Sequence, residues 1–235
     1  ESGARTRARE VLETGAKTPD EQPWRGLLAR GECQRRLGDL EAASKSLVAA
    51  DEASRTEEGS NEPDVLAALG DVYFEADHEI EAGGQRSAAN LYNLARQLAP
   101  GHEASLLGLY RLHRTNWLRH SRTAQDVLDE LLALKPDSIE AAIAGCSADL
   151  DDGQLKSCRE RLSQLAQSAP GRREVRGLRA SLAWVEHREA ECEKLLGELA
   201  AEDPADATPE REVGRHLSEL YRFAEALPFE SRATQ

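Results

Sequence analysis

The 235-residue sequence predicts an all-α solenoid of stacked helix–turn–helix units. Three observations predict it. Prolines recur at Pro100, Pro136, Pro170 and Pro204, at separations of 36, 34 and 34 residues. Between them run two apolar, helix-period stretches joined by a turn. Aromatic residues are only 4% of the chain against 40% hydrophobic residues. That composition suits many similar small helix contacts better than one large aromatic core.

The stretch ELLALKPDSIEAA (130–142) shows what the proline does. A proline lacks a backbone donor and disfavours helix in the residue before it. Pro136 therefore ends one helix and starts the next. Taken in order, an unpaired second-type helix is expected over 3–19, ended by Pro19. Full units are expected over 24–61, 63–100, 101–136, 137–170 and 171–204, and a partial one over 207–235. In RRLGDLEAASKSL (35–47), Gly38 ends a first helix and Asp39 can cap the second. LDDGQLKSCRERL (150–162) repeats that design around Gly153. Small residues recur where helices approach: Gly31, Gly70, Gly108, Gly145 and Ala180 on first helices, and Ala43, Ala88, Ala124, Cys158 and Cys192 on second helices. Bulky residues answer them one turn on, at Leu47, Tyr92, Leu128, Leu162 and Leu196. Pro228 departs from the pattern and is expected to break the last helix.

These spacings, with LGDVYFEA (69–76) and RRLGDLEAA (35–43), resemble the tetratricopeptide repeat (TPR) family over almost the whole chain. The resemblance implies a right-handed α-α superhelical solenoid whose first helices line a concave, partner-binding groove. By register the lining is expected to include Leu28, Glu32 and Arg35; Ala67, Asp71 and Phe74; Ser105, Leu109 and Leu112; Ala142 and Asp149; and Ser181 and Trp184. Trp184 is either a binding hot spot or packed against the next unit. The subfamily that grips acidic chaperone tails places lysine and asparagine where this chain has Leu28 and Glu32, or Ala67 and Asp71, so that ligand is not expected. The chain begins and ends in mid-repeat, begins at Glu1 and contains no methionine. Open solenoid ends need covering, so the natural protein is expected to continue or its ends to dimerise. Five lysines against 25 arginines, with abundant alanine, suggest a GC-rich bacterial source.

A net charge of −13 argues against nucleic acid or an anionic membrane surface as partner, since either needs a basic face. No run of about 18 apolar residues is present, so no membrane insertion is expected. No signal peptide is visible, and the compartment is left between cytoplasm and periplasm. HEIEA at His78 and HEASL at His102 lack the second histidine of a zincin helix, and neither a phosphate loop nor a GxSxG elbow occurs. No catalytic residue, metal or cofactor is therefore assigned. The four cysteines form no CxxC pair. Cys158 and Cys192 occupy equivalent positions of adjacent units, too far apart for a disulfide, and are read as small packing residues.

Two longer inter-helix turns stand out. One, over 76–86, carries Asp77, Glu79 and Glu81, and the other, over 110–122, carries Arg111, Arg114, Arg119 and Arg122. They are expected to face each other. The basic turn, with Trp117, is either an edge site for an acidic peptide or a solvated turn with the tryptophan packed beneath. The functional expectation is a protein-interaction scaffold holding a peptide or helical segment. The alternatives are a regulatory or substrate-presenting region of a larger bacterial enzyme, with a metallopeptidase-like domain outside this chain, and a scaffold self-assembling through its ends.

Overall fold

A computed structural model of the protein describes residues 23–57, 59–76, 87–115, 123–204 and 206–234. The described residues form helices without strands. The helix expected over 3–19 and the acidic turn residues Asp77, Glu79 and Glu81 lie outside them. The chain divides into two compact units, 1–136 and 137–235.

Unit 1 contains α1 (Pro23–Arg36), α2 (Leu40–Glu57), α3 (Pro63–Glu75), α4 (Ala88–Leu98), α5 (Glu103–Thr115) and α6 (Ala124–Leu134). They pair as hairpins α1–α2, α3–α4 and α5–α6. The recurring prolines act as stops: Pro100 lies between α4 and α5. Polar side chains at helix starts take up the unpaired first-turn N–H groups. Asp39 Oδ1 accepts from Ala42 N at 3.0 Å, and Ser87 accepts from Asn90 N. Thr123 and Asp126 form a reciprocal capping box on α6.

The core of unit 1 is set by glycines that admit bulky neighbours. A Cβ on Gly31 would lie 2.5 Å from Leu47 Cγ. Tyr92 on α4 is fully buried, and its ring fills the space that Cβ atoms on Gly70 (α3) and Gly108 (α5) would need. Its hydroxyl donates to Asp71 Oδ1 at 2.7 Å. Burial, reinforced by the Asp71 carboxylate, pushes the phenol well above its ordinary value. One ring thereby joins three helices.

Unit 2 contains α7 (Ile139–Asp151), α8 (Leu155–Ser168), α9 (Arg173–Val185), α10 (Glu189–Glu202), α11 (Thr208–Glu219) and α12 (Phe223–Ala233). Its hairpins α7–α8, α9–α10 and α11–α12 share one turn design with α1–α2. One residue adopts positive φ: Gly38 (79°), Gly153 (71°), His187 (61°) and Tyr221 (59°). The next N–H then bonds a carbonyl five residues back, Asp39 to Gln34, Gln154 to Asp149, Arg188 to Ala183 and Arg222 to Leu217. Glycine takes this left-handed conformation without strain and His187 and Tyr221 do not, so the helix packing imposes the turn. A single core runs from Cys146 and Leu150 through Leu178 and Leu182 to Leu217 and Phe229.

The expectation that Pro228 breaks the last helix is corrected: α12 runs through it. Pro228 is exposed, as is Ala224 one turn earlier. The carbonyl left without its helical donor is therefore on the solvated side, which removes most of the penalty.

Replacing Gly108 by alanine is expected to destabilise the chain by about 1–3 kcal/mol, because the Tyr92 ring occupies the space. Replacing Gly177 on α9, where a Cβ meets nothing within 4 Å, is expected to stabilise it by about 1 kcal/mol. Urea denaturation of both variants would show shifts of opposite sign; shifts of the same sign would contradict the packing described.

Candidate functional site

Each unit carries a pocket on its first helices. In unit 1, a cavity of about 290 Å³ is lined by α1, α3 and α5, with Leu28, Glu32, Asp64 and Asp71 on its wall. Asp71 is the fixed point. It accepts from Tyr92 Oη, as above, and from Arg111 Nη2 at 2.6 Å, and Arg35 Nη2 lies 3.6 Å away. Arg35 also bonds Glu75. Burial alone would lower the Arg35 guanidinium, but Asp71 and Glu75 outweigh it and hold the value raised.

In unit 2, a larger cavity of about 390 Å³ lies on α7, α9 and α11. Ile143, Gly177, Leu178 and Pro209 supply apolar wall, and Ser147 and Glu212 supply polar groups. Gly177 leaves open space where a side chain would stand. On the rim, Arg173 bonds Asp206 Oδ2 at 3.0 Å and the Leu199 carbonyl at 3.2 Å. Burial would raise the Asp206 carboxyl, but hydrogen bonds from Thr208 and Arg173 reverse this and hold it low.

Behind this pocket α11 is tied to α7 by a charged cluster. Arg215 donates to Asp151 Oδ2 (3.0 Å), Ser147 Oγ (3.0 Å) and Glu212 Oε2 (2.9 Å). His216 is fully buried, and its Nδ1 lies 2.5 Å from Asp151 Oδ1. The Asp151 side chain is 7% exposed. Its burial would raise the carboxyl, yet His216 and Arg215 outweigh burial and hold it below the ordinary carboxylate range. The cluster braces α11 against α7.

The structure sorts the groove residues expected from register. Leu28, Glu32 and Asp71 line the unit 1 pocket, and Arg35 reaches it through Asp71. Phe74 is half-buried one turn along α3. Leu109 is 4% exposed and Leu112 is fully buried, so both belong to the core and offer no surface to a ligand. Ala67 and Ser105 are likewise buried. Ala142 packs against the unit 2 core. Asp149 is taken up by Ser157 (2.6 Å) and Arg161 (2.8 Å) on α8. Ser181 is buried and bonds the Gly177 carbonyl. Trp184 packs edge-on to Phe229, with centroids 4.7 Å apart, and its Nε1 donates to Glu225 at 3.0 Å. Of the two roles open to it, the geometry is that of packing against the next hairpin. Arg114 is half-buried at the end of α5, whereas Trp117, Arg119 and Arg122 lie outside the described residues.

The cavity-lining residues Ile143, Ser147, Gly177, Leu178, Pro209 and Glu212 are not among those expected from register. A signal was available. Gly31 and Ala43 are twelve residues apart, as are Gly214 and Ala226, and the same spacing pairs Cys146 with Cys158. Cys146, not Gly145, is therefore the small close-approach residue of α7, and that register puts Ile143 and Ser147 where Leu28 and Glu32 stand on α1.

Solved structures share this arrangement. A tetratricopeptide repeat protein from Parabacteroides merdae is 18% identical, over 97% of this chain and 83% of its own, with a TM-score of 0.58. A thermophilic TPR protein from Thermus thermophilus is 16% identical, over 87% of this chain and 98% of its own, with a TM-score of 0.62. The fold is the TPR-like α-solenoid. The human IFIT1 dimer, solved with m7Gppp-AAAA, matches at 12% identity and a TM-score of 0.57, over 99% of this chain and 55% of that one. At these identities the likeness is one of fold. No sequence-family model and no curated protein sequence matches. Among the described residues, no helix of this TPR-like chain is long and apolar enough to cross a membrane.

The Asp151 carboxyl binds its proton more weakly in the folded chain than in the unfolded one. It therefore contributes stability above the ordinary carboxylate value of about 3.9, and that stability is lost as pH falls through the lowered folded value. Asp151→Asn is expected to cost about 3 kcal/mol at neutral pH, since it leaves Arg215 and His216 short of a buried partner. The variant should also show a shallower loss of stability on acidification. Urea midpoints measured from pH 3 to 7 check both, and an unchanged pH slope would contradict the cluster's role.

Proposed function

We propose that the chain is a protein-interaction scaffold that holds a peptide or helical segment of a partner against its first helices, with the unit 2 pocket as the anchor point. The observation that carries this is the pocket itself. It combines an apolar wall, open space above Gly177 and a polar rim on three successive first helices. Its volume falls within the range of ligand-binding clefts and suits one or two apolar side chains. The TPR-like fold, shared with the bacterial repeat proteins above, supports a binding role. The acidic balance of the chain supports a protein partner over a polyanionic one.

The test is a blocking variant. Gly177→Phe extends into the pocket from a position where an added Cβ meets nothing within 4 Å, and circular dichroism with a urea midpoint checks that the variant is folded. Partners captured by the wild-type chain from its source lysate, identified by mass spectrometry and then purified, should bind the variant at least about tenfold more weakly, a loss of about 1.4 kcal/mol. Equal binding by a correctly folded variant would remove this pocket as the anchor. Asp64→Ala and Glu32→Ala in the unit 1 pocket, measured against the same partner, would then show whether that groove carries the interaction.

A further inference from the structure

Cys146 on α7 and Cys158 on α8 face each other across one hairpin, with Sγ atoms 3.0 Å apart. Both are free and fully buried. Cys146 Sγ also lies 3.6 Å from the Cys158 carbonyl oxygen. They occupy the point of closest helix approach, filled by Gly31 and Ala43 in α1–α2, by Ala180 and Cys192 in α9–α10, and by Gly214 and Ala226 in α11–α12. Only in α7–α8 do both members of that pair carry sulfur. A disulfide requires an S–S separation of about 2.05 Å, so the two sulfurs must close by about 1 Å. Rotation about the two Cα–Cβ bonds is the movement this closure calls for.

We propose that Cys146 and Cys158 form a reversible dithiol–disulfide site that locks α7 to α8 when the protein meets a small-molecule disulfide. The chemistry balances with such an oxidant. One cysteine loses its proton to solvent, and its thiolate attacks a sulfur of the small disulfide. A mixed disulfide forms and one small thiolate leaves. The second cysteine, deprotonated in turn, attacks the protein sulfur of that mixed disulfide, forms the Cys146–Cys158 bond and expels the second thiolate. The protein gives up two electrons and two protons, and the oxidant becomes two thiols.

Two features give the site its character. The contact with Cys158 and burial both push the Cys146 thiol up, so exchange starts from an opened hairpin and not from the closed one. Once the hairpin closes, geometry selects the partner. Cys33 lies on α1, whose partner helix α2 holds no cysteine, and Cys192, buried on α10 and pushed up to about 12, is paired in register with Ala180. The bond would also act on the groove wall, because Cys146 sits between Ile143 and Ser147, which both line the pocket.

The test uses the whole chain, unfolded and reduced, then refolded in buffers of increasing ratio of oxidised to reduced glutathione, so that access to buried sulfur is not limiting. Free thiols are alkylated, and the products are read by intact mass and peptide mapping. The expected product is lighter by two hydrogens, carries no glutathione, links Cys146 to Cys158, and has a higher urea midpoint than the reduced chain. Cys146→Ala and Cys158→Ala should lose the link and the gain. Alanine already fills this position in neighbouring hairpins, so both variants fold. The double variant Cys33→Ala with Cys192→Ala should keep link and gain. Free thiols or separate glutathione adducts at the most oxidising ratio would overturn the proposal, as would a link that survives Cys146→Ala. A linked chain with a lower midpoint than the reduced one would overturn the lock.

Discussion

Close approach of two helices at one small-residue pair per hairpin governs the rest of the molecule. When Gly31 meets the Ala43 backbone, the axes come near enough for Leu47 to sit over the glycine. The residues three before and one after the small position are then turned about 60° and about 100° around the helix axis from that contact. They emerge on the face where successive first helices lie side by side. The hairpin contact thus decides which residues can line a groove. Tyr92 shows how strict the constraint is, since its ring needs a missing Cβ on two different helices at once.

That constraint explains how much was legible in the sequence. Proline spacing and small residues are local signals, and they identify an all-α repeat fold because every hairpin must satisfy the same packing rule. Register and cavity lining coincide in unit 1, where the small residue is unambiguous. Gly31 and Gly70 place Leu28, Glu32 and Asp71 on the unit 1 pocket. In α7, Gly145 and Cys146 compete as neighbours, and choosing the glycine rotates the inferred face by about 100°. Asp149, reached from that choice, points to Arg161 on α8, and Ile143 was lost. Leu109 and Leu112 depart from the cavity for another reason, since both are buried. Leu109 sits in the register of Glu32 but is 4% exposed, so burial and not register decides its role.

The Arg215–Asp151–His216 cluster could not be read from the chain at all. Its partners are 64 and 65 residues apart. They meet because α11 contacts α7 as well as α9, so the curl of unit 2 brings first helices two hairpins apart together. No spacing rule within one repeat encodes that curl. Packing of Trp184 against the next unit was one of its two expected roles, but its partners Glu225 and Phe229 on α12, the second helix of the following hairpin, were not identified.

The charges around the unit 2 pocket bear on what the groove can discriminate. Asp206 is held by Arg173 and Glu212 by Arg215. Glu174, also on the pocket wall, is held by Arg172. Each of these carboxylates already has a cationic partner. A ligand that brings a charge must break an existing pair, and an exchange of one partly solvated ion pair for another gains little. A ligand that places an apolar side chain above Gly177, beside Ile143 and Leu178, buries carbon with no pair to break. Its gain scales with the area removed from water. On the function proposed above, the pocket would discriminate between partners chiefly by the size and shape of one anchoring side chain, and the paired charges hold the walls that define that shape.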